Sequence, residues 1–352
     1  LQELYSWGQS GSGQLGLGNV VYRSSPVQVG ALTTWYQIAA GRAFSLATKT
    51  DGTLWSWGAN AQGQLGLGDV VVQSSPVQVG ALTTWYKIAG GSYHSLAIKT
   101  DGTLWSWGRN TNGELALGDV VLRSSPVQVG AITTWSEVAG GLFHSLAIKT
   151  NGTMWSWGSN DSGQLGLGDV DNRSSPVQVG ALTTWSQIAC GSGFSLAVKT
   201  NGTLWSWGYG GQGLLGQNNT ISRSSPVQIG ALTTWSKIAG GSYHAVAVKT
   251  DGTLWSWGRN IEGQLGLGDV VSRSSPVQVG ALTTWSQVAG GRSHCLAVKT
   301  DGTLWSWGES SSGQLGLGDV VYRSSPVQVG LLTTWSRLPK MPRSNSSLAI
   351  KG

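Results

Sequence analysis

Charge, cysteine and long apolar runs are all scarce in these 352 residues, and each scarcity excludes something. Charged side chains make up 11% of the chain, too few for a solvated disordered segment or for a charge-laced coiled coil or helical bundle. No apolar run approaches the roughly 18 to 20 residues that a membrane-crossing helix needs, and residues 1–8 lack the basic and apolar regions of a secretory leader. A soluble chain without a membrane span is expected, its compartment left open. Cys190 and Cys295 are the only cysteines, so no disulfide framework braces the fold, and a chain of this length does not need one.

Glycine (54 residues) and tryptophan (20 residues) are abundant instead, and the tryptophans are periodic. Trp35, Trp85, Trp135, Trp185, Trp235, Trp285 and Trp335 recur every fifty residues, as do Trp7, Trp57, Trp107, Trp157, Trp207, Trp257 and Trp307. A fixed period of this length marks a repeat architecture. Within one period, residues 276–279, 285–290, 294–299 and 303–307 have strand character and are bounded by turn residues. The last two runs are joined by Thr300, Asp301 and Gly302, a hairpin link in which Asp and Gly tolerate positive φ. In the last run Thr303, Trp305 and Trp307 share one side and Leu304 and Ser306 the other. Large groups can therefore pack across small ones between neighbouring units, and all three tryptophan sets are expected to be buried.

Four strands per unit predict a four-stranded antiparallel blade, and the chain ends choose between an open stack and a ring. Residues 347–352 read as a third strand lacking its fourth, and residues 4–8 as a fourth strand lacking its third. Joined, they complete one blade and remove a sheet edge that would template aggregation. The expected fold is all-β, a closed seven-bladed β-propeller. It is read as a single domain over 1–352, with one blade shared between residues 1–8 and 335–352.

The string HSLAIKTDGTLWSWG at 94–108, with NAQGQLGLG at 60–68, resembles the repeat of the regulator of chromosome condensation family, in its bacterial-type seven-bladed form. The likeness extends over essentially the whole chain, and the Gly-His and Trp-Asp pairs of WD repeats are absent. The resemblance implies the same propeller, with 285–290 as the innermost strand A, then B, C and an outer strand D. It leaves function open, because the fold serves nucleotide exchange, ubiquitin ligation and enzyme inhibition alike.

In that order the A–B and C–D loops emerge on one face, the B–C hairpins and D–A connections on the other. The hairpin face barely changes between units, whereas the loop face does. Its variable positions supply Arg42, Tyr93, Arg109, Phe143, Tyr209, Tyr243, Arg259 and Arg292, aromatic and arginine residues of the kind that anchor protein interfaces. A rigid frame with one non-uniform loop face suits a binding module. The net charge of +6 has a visible source in Arg23, Arg123, Arg173, Arg223, Arg273 and Arg323, a candidate basic rim for a polyanion. Asp69, Asp119, Asp169, Asp269 and Asp319 stand four residues before that position and are placed to cancel part of its field.

Candidate chemistry is thin. His94, His144, His244 and His294 share one repeat position, which holds Phe44, Phe194 and Ser344 elsewhere. Such a ring cannot converge on one ion, and a half-buried structural role is expected. Both cysteines read as small core residues. No nucleophile-base pair breaks the repeat at one place, and the glycine runs lack the Lys and the helix of a phosphate loop. The expectation is a protein that is not an enzyme, with no cofactor and no metal. The leading reading is a non-enzymatic protein-binding scaffold, expected to be monomeric, with an unknown protein as partner. Three others stand beside it: an inert frame produced by recent amplification or consensus engineering, nucleotide exchange or polyanion binding like the family namesake, and a multivalent lectin. The uniform spacing leaves no insertion that could pry a GTPase open.

Overall fold

Trp285–Gly290, His294–Lys299, Leu304–Gly308 and Arg323–Gln328 are strands A, B, C and D of one antiparallel sheet, hydrogen-bonded in that order. B and C run in register from Val298 opposite Leu304 to His294 opposite Gly308. Their hairpin is held by the Asp301 carboxylate, which accepts from the amide and hydroxyl of Thr303 at 2.9 and 2.7 Å. Gly302 has φ +78°, and a Cβ there would stand 2.1 Å from the Thr333 carbonyl oxygen, so the hairpin and the adjacent D–A connection need glycine.

The protein is described here from a computed structural model, which describes residues 2–340 and 344–352. These residues form seven four-stranded sheets. Strand A matches the expected 285–290 and strand B the expected 294–299, whereas D is longer, Arg273–Gln278 rather than 276–279. The Ser-Ser-Pro stretch inside it forms a bulge: Val277 pairs with Ser256 and Arg273 with Gly258, leaving the residues between unmatched. An outer strand tolerates proline at a bulge because no ladder donor is needed there.

The seventh sheet joins the ends of the chain. Its strands are Trp335–Arg337, Ser346–Lys351, Glu3–Gly8 and Arg23–Gln28, with Leu4 opposite Ile350 and Ser6 opposite Leu348. Lys351 and Glu3 add an ion pair at 3.1 Å. Between blades, Val246, Val248 and Leu254 of one pack on Trp285, Ala297 and Trp307 of the next. An indole of this kind removes about 150–250 Å² from water, roughly 4–6 kcal/mol at about 25 cal/mol per Å². Each buried C-strand indole also donates to the preceding blade: Trp307 to the Gln264 carbonyl and Trp57 to that of Gln14, both at 2.9 Å. Trp7 donates to Gln314 at 3.0 Å. Seven such bonds form a closed cycle, the propeller that the chain ends predict.

Two expectations need correction. Trp55, Trp105, Trp155, Trp205, Trp255 and Trp305 are half-buried rather than buried. Trp55, Trp105 and Trp255 face open clefts beside the D strand of the preceding blade, and Trp305 donates to Thr303 Oγ1 at 2.9 Å with the Lys299 ammonium 3.6 Å from its ring centre. The four histidines are wholly buried, not half-buried, because each lies on the B-strand side that packs against the next blade. The seventh strand A is short, Trp335–Arg337, as the prolines after it require. Of the divergent stretch that follows, Met341, Pro342 and Arg343 lie outside the described residues.

Candidate protein-binding face

Strand A ends in Ala-Gly in four blades and in Ala-Ala and Ala-Cys in two, and the tight turn that follows brings the A–B loop against the start of the C–D loop of its own blade. The amide of Arg109 donates to the Tyr93 carbonyl at 2.9 Å, that of Arg259 to Tyr243 at 2.8 Å and that of Tyr209 to Gly193 at 2.8 Å. The C–D loop is tied from within. The buried Asn260 side chain accepts from the Leu265 amide at 2.9 Å and donates to the Asp269 carboxylate at 3.0 Å. Both loops are rigid, and their variable side chains project from a fixed frame.

That frame assembles four of the eight predicted anchors. Tyr93 and Phe143 stack with ring centres 6.1 Å apart and planes inclined by 14°. The Arg109 guanidinium lies 3.9 Å from the Phe143 centre and 5.9 Å from that of Tyr93. Arg42 covers the Tyr93 ring at 5.6 Å and donates to its hydroxyl. The cluster draws on three consecutive blades, whose A–B loops are tied by Arg42 N to Ser92 O at 3.4 Å and Ser92 N to Gly141 O at 3.0 Å. Behind it Glu114, fully buried where five units have Gln and one has Leu214, lies 3.6 Å from Arg109 Nε. Tyr243 and Arg259 form a separate pair at 5.4 Å, with Arg259 bridged to Glu262 at 2.8 Å. Tyr209 and Arg292 are exposed on the same loop face.

The rim arginines begin the D strands and are largely paired. Arg123, Arg173, Arg273 and Arg323 bridge Asp119, Asp169, Asp269 and Asp319 at 2.5 to 2.6 Å. Arg23 instead reaches the carbonyls of Val21 and Tyr22, and Arg223 donates to Gln217 at 3.3 Å. The outer field is thus confined to two of seven blades.

The histidines act between blades. Nε2 of His94 meets Ser145 Oγ at 2.8 Å, and the same contact links His144 to Ser195, His244 to Cys295 Sγ and His294 to Ser347. Burial pushes their pKa values down, to about 3 for His94 and His294 and about 4 for His144 and His244. Both cysteines are buried, and burial pushes their thiols up. Among the described residues no three His, Cys, Asp or Glu side chains gather as metal ligands, and no helix is long and apolar enough to cross a membrane.

The model of the RCC1-like domain matches residues 2–236, well over half of the sequence. The chain belongs to the RCC1-like domain family. Models of the regulator of chromosome condensation (RCC1) repeat match residues 251–298 and 301–337, and 235–264 and 285–314. Among solved structures, human WBSCR16 is similar at 24% identity, over 100% of this chain and 99% of that one, with a TM-score of 0.90. Prp20p from Saccharomyces cerevisiae is 21% identical over 99% of this chain and 91% of its own, with a TM-score of 0.85. Yeast RCC1 (Prp20) bound to Kap60 gives 21%, 99%, 88% and 0.86. No curated protein matches the sequence. Identities this low establish a shared RCC1-like fold, so function has to be argued from the residues of this chain.

One charged position escaped the sequence reading. Two residues after each A-strand tryptophan stand Gln37, Lys87, Glu137, Gln187, Lys237, Gln287 and Arg337. The signal was a position alternating between neutral, cationic and anionic residues inside an otherwise uniform strand.

Proposed function

We propose that this RCC1-like propeller is a non-enzymatic protein-binding scaffold whose loop face recognises its partner through Arg42, Tyr93, Arg109 and Phe143. The observation that carries this reading is the stacked arginine-aromatic cluster spanning three blades. Its members are preordered by one another and by backbone bonds, so little side-chain entropy remains to be lost on binding. Aromatic and arginine groups that are partly exposed and rigid are the usual carriers of interface energy. Tyr243 with Arg259, and the exposed Tyr209 and Arg292, extend the same face. Relatives of the same fold support a protein partner: Prp20p is described with its binding to Gsp1p and histones, and yeast RCC1 is seen bound to Kap60.

Alanine substitution of Tyr93, Arg109 and Phe143 together tests the reading. Partner retention on an affinity column is expected to fall at least tenfold while the thermal midpoint stays within a few degrees. Full retention by the triple variant contradicts it.

A further inference from the structure

The innermost strands A border the central channel, and consecutive residues of them, such as Lys87 with Ile88 and Glu137 with Val138, line it. The position that differs most among them is the charged one, and it lies at the hairpin end of the channel. A cavity of about 470 Å³ opens there, lined by Lys87, Lys237, Arg337 and Lys340 with a single carboxylate, Glu137. Residues 338–340, which replace the missing half of the seventh strand A, lie across the channel beneath it. Leu338 N donates to Gln287 Oε1 at 3.2 Å, and the Lys340 carbonyl accepts from Ala40 N at 3.1 Å. On the far side, Pro339 and Lys340 border a second cavity of only about 40 Å³ with Cys190 and Gly240.

The charges do not balance. Glu137 is bridged by Lys87 and, at 3.1 Å, by Lys340. Burial works to raise its pKa, but the charges of Lys340 and Lys87 outweigh this and hold the carboxyl below its usual range. Its one negative charge is therefore already committed to two lysines. Arg337 is fixed over the Tyr36 ring at 4.2 Å and donates to the Tyr36 carbonyl, and Lys237 is exposed to the channel. Neither has a carboxylate within ion-pair distance among the described residues. Three sister units place a neutral Gln here, so the blade does not require a cation for folding.

We infer that this cavity binds a small, multiply charged anion, bearing phosphate or several carboxylates, between Lys237 and Arg337 with the Lys87–Glu137–Lys340 group behind them. The volume falls within the roughly 300–1,000 Å³ of small-ligand sites. Apolar walls formed by Ile38, Ile88 and Val138 keep the local dielectric low and focus the positive field. A monoanion would leave most of the excess charge unmatched, whereas a polyanion would neutralise it.

Calorimetric titration of the full chain with inorganic pyrophosphate tests this, with citrate as competitor and acetate as the monovalent control. The expected result is one-to-one pyrophosphate binding that citrate displaces and acetate does not. Lys237→Gln, which installs the residue of three sister units, should weaken it at least tenfold with an unchanged thermal midpoint. Arg223→Gln on the outer rim should leave the affinity as it was. Equal affinity in the Lys237→Gln protein, loss of binding in the Arg223→Gln protein, or no binding to the unaltered chain would each overturn the assignment. Because the cavity opens away from the loop face, failure here leaves the scaffold reading standing, and the reverse also holds.

Discussion

The indole of Trp7 donates its hydrogen to the backbone carbonyl of Gln314 across 307 positions of sequence. Every other blade boundary carries the same bond between nearer residues, so this one closes the cycle with no special chemistry of its own. What it depends on is Glu3–Gly8 lying beside Ser346–Lys351.

Deleting residues 347–352 removes that partner strand and opens two sheet edges. The thermal midpoint is expected to fall by roughly 10 °C or more, since each kcal/mol moves a large domain by about 2–4 °C, and aggregation should follow from the unpaired edges. A scanning calorimetry trace with the unaltered midpoint would refute closure through this blade.

Acid should destabilise the ring well above the range of ordinary carboxylate titration. Each buried histidine has a folded pKa depressed to about 3 or 4, against about 6.5 unfolded. The unfolded chain binds the proton and the native one does not, so the stabilisation is complete above pH 6.5 and is lost as pH falls towards 4. Each histidine withdraws about 1.4 kcal/mol per pH unit over that window. Replacing His94 and His144 by Phe, the residue of units one and four, should shift the acid unfolding midpoint to lower pH. An unmoved midpoint in a circular dichroism titration would show that the histidines do not drive it.

Gly302 and Gly330 both have positive φ, at +78° and +63°, but only Gly302 faces backbone: a Cβ at Gly330 meets nothing within 4 Å. Gly330→Ala should cost about 1 kcal/mol, the conformational term alone. Gly302→Ala should cost at least twice as much, because the Thr333 carbonyl has to move. Equal losses in urea denaturation would contradict the tight hairpin contact.

Ala116 occupies a left-handed position, φ +59°, that is glycine in the other units. At the equivalent Gly16 and Gly66 a Cβ would stand 2.8 and 2.7 Å from a tryptophan indole nitrogen. Ala116→Gly removes that strain at the cost of some unfolded-state entropy, and a gain of up to about 1 kcal/mol is expected from denaturant unfolding. A clear loss would mean that the methyl group packs favourably against the neighbouring indole.

Strands A and B, the hairpin and the closing blade were legible because they rest on local rules: fifty-residue spacing, alternation, and Asp-Gly turn chemistry. The D strand was read as starting at Pro276 because Ser274 and Ser275 look like turn residues, while a bulged outer strand accepts them. Trp305 looked buried from alternation alone, yet it shares its side of strand C with the buried Trp307 and lies nearer the hairpin end, and how far the cleft reaches along that side is set by the packing of neighbouring blades. The loop anchors could be named individually, but that Arg42, Tyr93, Arg109 and Phe143 touch could not, since their contact crosses three blades. Lys237 and Arg337 were overlooked for a related reason: nothing local says that strand A borders a channel rather than solvent.

The most direct test of the scaffold reading is site-specific photocrosslinking in extract from the source cells, with a benzophenone side chain placed at Tyr93 in one protein and at Ile132 on the hairpin face in another. A discrete protein adduct from position 93 and none from position 132 is the predicted result. Adducts from position 132 alone, or none from either position, would contradict a partner-binding loop face.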